Sequence, residues 1–513
     1  MRPRTLLAYT SGAELAEDYF ARKIPVGLGI LNAVLNQAGY PSKVGNFSRF
    51  APERLARVLE TEKPDVLGLS VFTFNRHASH ELAALAKKIR PETYVVAGGP
   101  HVTHLDRHWL EHYPAFDAVV RGEGEDAMLD IVRARERGTL AAGIAGTTAR
   151  DAAGSIAWAP ARPSIPDLDR LPHNADHLAR SIGVEVADQL RYFISSRGCP
   201  GACTFCNTPD FWGKRVRFRS ADDVLKEFRT LRERHGLVYV SLRDDTFTAH
   251  RQRTIDICRG LIDSKLHFLW DCQSRVNLVD EERLAWMKRA GCHHIQYGIE
   301  SGSDRILKIL QKDITAEMIR KAVAMTRDAG LVVSIYLISG VPEETDEDIA
   351  ATRALIREIL PHDGIVAPLA IYPGTKLYDD SKRFLGVDDT IWVNDPRAAI
   401  LVREDEGAVR NYEALAEELE RTGKRAAYGP KDLDRFDAAY GFLFTTQLMR
   451  SEYWRARGDF DRAAAAAEAI VAREPANPWG PLRLAALFDE QGLTQQAAAA
   501  RARAKALVPR LAA

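Results

Sequence analysis

Between Arg4 and about Val132, short, wholly apolar runs alternate with stretches whose apolar positions recur at helical spacing. "TLLAY" precedes "VGLGILNAVLNQAGY", "DVLGLSV" precedes "SHELAALAKKI", "YVVAGG" precedes "HLDRHWLEHY", and "FDAVVRGEGE" precedes "DAMLDIVRAR". Runs without polar alternation suit strands covered on both faces, so the pattern predicts an α/β, doubly wound parallel sheet of Rossmann-like type. Ligands of such sheets lie beyond the carboxyl ends of the strands. Those ends are Ser70–Thr73, Gly98–His101 and Arg121–Gly124. Their glycines either admit a ligand close to the backbone or make tight βα turns.

A polar, proline-bearing stretch, "GTTARDAAGSIAWAPARPSIPDLDRLP", predicts a linker with one hairpin. From Tyr192 to about Tyr378 a second βα series follows: "RYFISSRG", "GLVYVSLRDD", "HFLWDCQSRV", "HHIQYGIESG", "VVSIYLISGVP" and "IVAPLAIYPGT". These six strands predict a partial (β/α)6 barrel with its functional groups at the carboxyl strand ends. Past Lys382 the pattern is helical. Near the end, Gly458 and Gly492 are 34 residues apart, as are Pro475 and Pro509, which is the tetratricopeptide period. A generic alanine-rich bundle does not account for both punctuating residues sharing one offset. Two short helix-pair repeats are expected, serving docking or oligomerisation and leaning on the preceding helices, since about three repeats are needed to stand alone. The expected domains are 1–145, a linker 146–188, the barrel 189–382, a helical extension 383–440 and the repeats 441–513.

Composition narrows this picture. With 513 residues, 46% hydrophobic and 27% charged, the chain can build ordinary cores without disulfides. Six cysteines are sparse, no run approaches the ~18 apolar residues of a membrane span, and "MRPRTLLAYT" leads directly into a strand. A cytoplasmic, reducing location without a membrane span is expected. The 70 basic and 70 acidic side chains cancel, which leaves no global footprint for nucleic acid.

Three of the cysteines crowd into "SSRGCPGACTFCNTP": Cys199, Cys203 and Cys206, spaced C-x3-C-x2-C. Structural zinc needs four ligands, yet between Ser196 and Ala249 there is no fourth cysteine and the only histidine, His235, lies at the far end of the next helical pattern and would have to fold back. A disulfide framework fits neither the compartment nor the odd local number. An iron–sulfur cube held by three thiolates keeps one iron open to another ligand, so three cysteines form a complete set for that purpose. Cys258, Cys272 and Cys292 lie on separate elements and read as buried structural thiols.

The C-x3-C-x-aromatic-C loop after the first barrel strand resembles that of the radical S-adenosylmethionine (SAM) enzymes. The resemblance implies a [4Fe-4S] cluster on Cys199, Cys203 and Cys206, with Phe205 beside bound SAM. It also implies that reductive cleavage of SAM yields a 5′-deoxyadenosyl radical. Three further stretches match the family. Asp244 and Asp245 in "SLRDDTF" stand where a carboxylate usually meets the SAM amino group. Glu300 and Ser301 in "YGIESGSDRIL" resemble the motif that reaches the ribose, and Gly340 and Glu343 in "YLISGVPEE" match a G-x-x-E stretch beside the adenine. Tyr336 stands where glycine is common there. Arg275 in "CQSRVNLVD" reads either as a SAM contact or as a rim salt bridge.

The span from Arg4 through Tyr378 resembles the subclass with an N-terminal cobalamin-binding domain. By that resemblance Ser70, Phe72, Phe74, Gly98, Gly99, Gly122 and Glu123 contact cobalamin, and Phe74 and Arg76 are candidates for its lower face. "DRHWLE", around His108, lacks the glycine of the D-x-H-x-x-G stretch and falls in a helical pattern, so His108 is not expected to ligate cobalt. The implied activity is methyl transfer to an unactivated carbon, or to phosphorus, of a small metabolite, lipid or peptide. Radical cyclisation, ring contraction or another rearrangement is the alternative, and a carrier-docking or scaffold role through the C-terminal repeats is a third. Implied partners are a small-molecule or carrier-bound substrate, a flavodoxin- or ferredoxin-type reductant and a protein docked on the repeats. No catalytic side chain is assigned.

Overall fold

The computed structural model describes residues 2–12 and 22–511. The chain divides into two compact units, one comprising Met1–Leu190, Gly198–Arg217 and Ala370–Val402, the other Arg191–Arg197, Phe218–Leu369 and Arg403–Ala513.

The first unit holds a seven-stranded sheet: β1 (Thr5–Tyr9), β2 (Ser42–Asn46), β3 (Val66–Ser70), β4 (Tyr94–Gly98), β5 (Ala118–Val120), β6 (Thr147–Arg150) and β7 (Ile156–Trp158). Its order is β2-β1-β3-β4-β5-β6-β7. The first five strands are parallel, and β6 and β7 add antiparallel to the β5 edge. Strands β1, β3, β4 and β5 are buried almost throughout, as their unbroken apolar runs require. One face packs Leu6, Leu67, Leu69, Val95 and Val119 against Leu82, Trp109 and Leu110.

Three features depart from the sequence expectation. Strand β2, "SKVGN", has no apolar run and is buried only from Val44 to Asn46, as befits an edge strand set by pairing with β1. The expected linker opens with the β6–β7 hairpin, so this sheet continues past residue 145. Segments 198–217 and 370–402 also fold with this unit. Long-range hydrogen bonds tie them there, such as Arg217 Nη1 to the Ile165 carbonyl (2.7 Å) and Arg76 Nε to the Trp392 carbonyl (2.8 Å), and no local sequence pattern signals such bonds.

The second unit carries a six-stranded, wholly parallel sheet of Tyr192–Phe193, Tyr239–Leu242, Leu269–Ser274, Cys292–Glu300, Val332–Ser339 and Asp363–Pro368, neighbouring in that order. Its helices begin where side chains can cap them. Ser220, Asp280, Ser303, Thr315 and Thr375 (the last in the first unit) each accept from an N–H three residues on. The four last helices, Phe444–Arg455, Phe460–Arg473, Trp479–Glu490 and Thr494–Leu507, pack successively. They also pack back on the barrel: the Trp479 indole donates to the His267 carbonyl (2.9 Å), and a Cβ on Gly236 would collide with the Arg510 carbonyl. Among the described residues no helix is long and apolar enough to cross a membrane.

Candidate functional site

In the first unit, pairing sets Ser70 beside Gly98 and Gly98 beside Val120, so three carboxyl ends lie abreast. Gly99 follows at φ +109°, where a Cβ would lie 2.8 Å from the Val71 carbonyl oxygen. Gly122 follows β5 at φ +69°, its N–H donating to Thr103 Oγ1 (3.1 Å), which itself donates to the Gly99 carbonyl (2.9 Å). Half-buried Phe72 and Phe74 stack 5.4 Å apart at 19°, and Phe72 meets Tyr9 edge-on at 6.4 Å. Asn75 fixes their loop: its side chain accepts from Phe72 N–H (2.7 Å) and donates to the Thr10 and Ser70 carbonyls. A backbone cradle with an aromatic pair suits a large, flat cofactor.

Two residues expected at this edge serve other ends. Glu123 is buried in an ion pair with Arg217 (2.7 Å) and accepts from Ile165 N–H (2.6 Å). Arg76 is fully buried, with its guanidinium donating to main-chain carbonyls rather than lying open beneath a ligand. His108 lies within the helix Asp106–His112.

Cys199, Cys203 and Cys206 are half-buried cysteines outside any disulfide, on an irregular loop that leaves Gly198 at φ +97°. Cys206 N–H donates to the Cys203 carbonyl (3.2 Å), which folds the loop into a turn, and Phe205 is half-buried within it. Among the described residues no three His, Cys, Asp or Glu side chains already converge in metal-binding geometry. The donor set is nonetheless the one an iron–sulfur cluster takes, accessible cysteine sulfur on an adaptable loop. The remaining thiols, Cys258, Cys272 and Cys292, are buried, and burial pushes those of Cys258 and Cys272 upward, which makes these two inert packing groups.

In the second unit the parallel register separates two faces. Val240, Leu242, Trp270, Cys272, Ile295, Tyr297, Val333 and Ile335 form the apolar outer side. Ser241, Asp271, Gln273, His294, Gln296 and Tyr336 alternate with them and form a polar inner side. Gln296 Oε1 is its hub, accepting from Tyr336 Oη (2.8 Å), Gln273 Nε2 (3.2 Å) and Arg243 Nη1 (3.4 Å). Asp271 accepts from Ser241 Oγ (2.6 Å) and from the Tyr239 hydroxyl. Burial lowers the pKa of His294 and raises that of Tyr336, so both are neutral hydrogen-bonding groups near pH 7. Inner-face Ile365, on the edge strand, is 55% exposed, whereas Ser241 and Asp271 on the same face are buried, so this side is open toward that edge.

The predicted SAM residues fall at the carboxyl ends of these strands, in different roles. Asp244 is fully buried, accepting from Ser195 Oγ (2.6 Å), Ser195 N–H and Ser196 N–H (3.1 Å); Asp245 is the exposed member of the pair. Arg253 reinforces Ser195 by donating to its carbonyl and hydroxyl, each at 2.8 Å. Glu300 sits at φ +63° in a buried ion pair with Lys312 (2.7 Å). Gly298 leaves room for it, since a Cβ there would lie 2.6 Å from Glu300 Oε1. Arg275 is buried and donates to the Lys312 carbonyl. Ser301 Oγ lies 3.1 Å from Thr352 Oγ1, and Gly340, at φ +76°, donates to Glu344 Oε2 (3.0 Å). Sequence reasoning missed Ser195, Arg253, Lys312, Gln296 and Asn75, whose roles depend on partners 3 to 65 residues away.

Comparison with known proteins agrees with these two halves. Residues 21–132 match the B12 binding domain and residues 193–356 the radical SAM superfamily. An uncharacterized methyltransferase of Pyrococcus horikoshii is 33% identical over 327 residues, covering 63% of this chain and 71% of the relative. The anaerobic magnesium-protoporphyrin IX monomethyl ester cyclase of Rubrivivax gelatinosus is 28% identical over 382 residues, covering 72% of this chain and 68% of the relative. Among solved structures, the radical SAM methyltransferase TsrM of Kitasatospora setae, with cobalamin and a [4Fe-4S] cluster bound, shares the fold at a TM-score of 0.65 and 16% identity, over 91% of this chain and all of that one. The chain therefore belongs to the radical SAM enzymes that carry a B12-binding domain, within their methyltransferase-like group, and its cofactors are a [4Fe-4S] cluster, SAM and cobalamin.

Proposed function

We propose that this enzyme places a methyl group on an unactivated carbon, or on phosphorus, of a small metabolite, lipid or peptide. The observation that carries the reading is the 33% identity to a methyltransferase over 327 residues, in a chain matching both cofactor-binding families. The cofactors supply reductive SAM cleavage and methyl carriage. The chain supplies the rest. Cys199, Cys203 and Cys206 hold the cluster; Asp245, Glu300, Ser301 and Gly340 line the SAM end, with Asp244 and Arg275 bracing it. Ser70, Gly98, Gly99 and Gly122 give cobalamin its backbone cradle, with Phe72 and Phe74 beside it. The inner face around Gln296 orients substrate with neutral donors and acceptors, which holds the acceptor atom in place for the radical step.

Cyclisation is the second reading, favoured by the 28% identity to the Rubrivivax cyclase over both regions. We further read the C-terminal helices as two tetratricopeptide-like hairpins, supported by Gly458 (φ +75°) and Gly492 (φ +72°) turning equivalent helix pairs 34 residues apart. Their packing on the barrel at His267 supports a bracing role over carrier docking. A flavodoxin- or ferredoxin-type reductant and a cytoplasmic location complete the reading.

The test is anaerobic reconstitution with methyl-labelled SAM and a flavodoxin-type reductant, using candidate substrates. Methyl transfer yields a product heavier by one labelled methyl in place of hydrogen, with S-adenosylhomocysteine and 5′-deoxyadenosine formed together. Substrate consumption with 5′-deoxyadenosine but no label in the product establishes rearrangement instead. Cys203→Ala abolishes 5′-deoxyadenosine formation in either case.

A further inference from the structure

Arg76 is a charged side chain with no exposed surface, and its partners among the described residues are main-chain carbonyls. Nε donates to Trp392 (2.8 Å), Nη1 to Thr73 (2.7 Å) and Nη2 to Asp395 (2.6 Å), while His77 Nε2 lies 2.8 Å from the same Asp395 carbonyl. Desolvating a guanidinium is costly, and three well-aligned acceptors in two different segments are what offset it. One of those segments is the loop 71–75, which carries Phe72 and Phe74. The other is 370–402, where Trp392 packs on Tyr378 at 5.1 Å and on His101 at 5.5 Å. His101 Nδ1 lies 3.1 Å from Thr73 Oγ1, which closes the circuit.

The same segment reaches the thiol loop. Its helix, Lys376–Phe384, begins with Leu377 N–H donating to the carbonyl of Thr204, between Cys203 and Cys206. Gly374, just before it, packs so closely on His104 that a Cβ would lie 2.3 Å from the imidazole. A continuous line of short contacts therefore runs from the Phe72–Phe74 loop through Arg76, Trp392, Tyr378 and Leu377 to Thr204.

We propose that Arg76 is a positioning residue, a strut that fastens segment 370–402 to the loop 71–75, so that filling the cobalamin site stiffens the thiol loop. This rests on the assignment of Phe72 and Phe74 to cobalamin. It replaces the expectation that Arg76 lies against the corrin. By linkage, whatever tightens one end of the circuit tightens the other.

The experiment compares full-length wild type, Arg76→Lys and Arg76→Met, each with its cluster reconstituted, by hydroxocobalamin titration and by hydrogen–deuterium exchange of peptides covering 199–208 and 376–395. In the wild type, hydroxocobalamin slows exchange in both peptides. In Arg76→Met the corrinoid binds about tenfold more weakly, the size of an ordinary coupling, and protection of 199–208 disappears. Arg76→Lys falls between, and the absorption spectrum of the bound corrinoid is the same in all three. Leu377→Pro, which removes the N–H to Thr204 in the first helical turn, where that N–H has no acceptor within its own helix, leaves the Arg76 contacts in place and still binds corrinoid but loses protection of 199–208. It serves as the decisive variant if Arg76→Met does not fold. A wild type that binds no corrinoid overturns the cobalamin assignment and the strut with it. A wild type that binds it, with protection of 199–208 retained in Arg76→Met or Leu377→Pro, overturns the strut alone, as does a shifted corrinoid spectrum in Arg76→Lys.

Discussion

The two parallel sheets are built from the same strand–helix unit, yet they keep their polar groups in different places. In the seven-stranded sheet, strands β1, β3, β4 and β5 are almost wholly apolar on both faces, and the polar and glycine positions of the candidate site gather beyond their carboxyl ends, at Ser70, Asn75, Gly98, Gly99 and Gly122. The six-stranded sheet is apolar only on its outer side. Its inner side alternates Ser241, Asp271, Gln273, His294, Gln296 and Tyr336 through the register. A sheet covered on both faces can recognise a ligand only by backbone and shape at the strand ends, whereas an open barrel can recognise one with side chains across a whole face. The first site should therefore fail when an edge glycine gains a side chain. The second should fail when a charge or amide loses its partner.

The largest effect is expected from Lys312→Met in the barrel. It strands the carboxylate of Glu300, 6% exposed and held at φ +63°. Removing one partner of a buried pair costs about 3–5 kcal/mol. The urea midpoint should fall accordingly, SAM binding should weaken, and the double variant Glu300→Gln/Lys312→Met should recover much of the stability. An unchanged midpoint in the single variant would mean that charge does not hold this edge.

Gly99→Ala tests the other sheet and should cost less, about 1–3 kcal/mol, the usual range for a side chain forced into a sparsely populated backbone region. At φ +109°, with Val71 oxygen 2.8 Å from the new Cβ, the strand end must shift, and the corrinoid content of purified enzyme should drop. Gly138→Ala is the control. It carries a similar positive φ of +70° but meets nothing within 4 Å, so it should lose some stability and keep its corrinoid. Equal corrinoid loss in both would dissolve the distinction between edge shape and general strain.

Much of this contrast is legible in the sequence, because it rests on periodicity. Wholly apolar runs such as "YVVAGG" announce a doubly covered strand, and "HHIQYGIESG" alternates well enough to place polar residues on one face. The thiol spacing and the strand-end carboxylates are likewise local. What is hidden is whatever depends on a distant partner. Asp244 and Asp245 are chemically identical neighbours, and only the fold shows that Ser195 and Ser196 occupy the first and leave the second exposed. Strand β2 has no apolar run because its pairing with β1, rather than its own hydrophobicity, makes it a strand. Arg76 reads as a candidate ligand because nothing nearby in sequence reveals carbonyls 316 and 319 residues away.

The smallest effect concerns a buried charge-bearing residue among the helices on the outer, apolar side of the barrel. Lys288, in the helix Glu281–Arg289, is fully buried, with Nζ 2.7 Å from the Gly330 carbonyl, 3.5 Å from Met449 Sδ and 5.7 Å from the Phe436 ring. Burial lowers its pKa from 10.5 to about 7. Below that value both folded and unfolded chains hold the proton, so the group adds no pH dependence. Between about 7 and the ordinary lysine value the unfolded chain binds more protons than the folded one, so stability rises with pH, by at most about 1.4 kcal/mol per unit. Urea unfolding of wild type and Lys288→Met at pH 7 and pH 9 isolates this, because the wild type should gain on the variant across that interval. A difference that does not move with pH would show that the Gly330 carbonyl keeps Lys288 charged in the fold. The outer side would then tolerate a buried charge as the Glu300 edge does, and the contrast between the two faces would lie in geometry instead of charge.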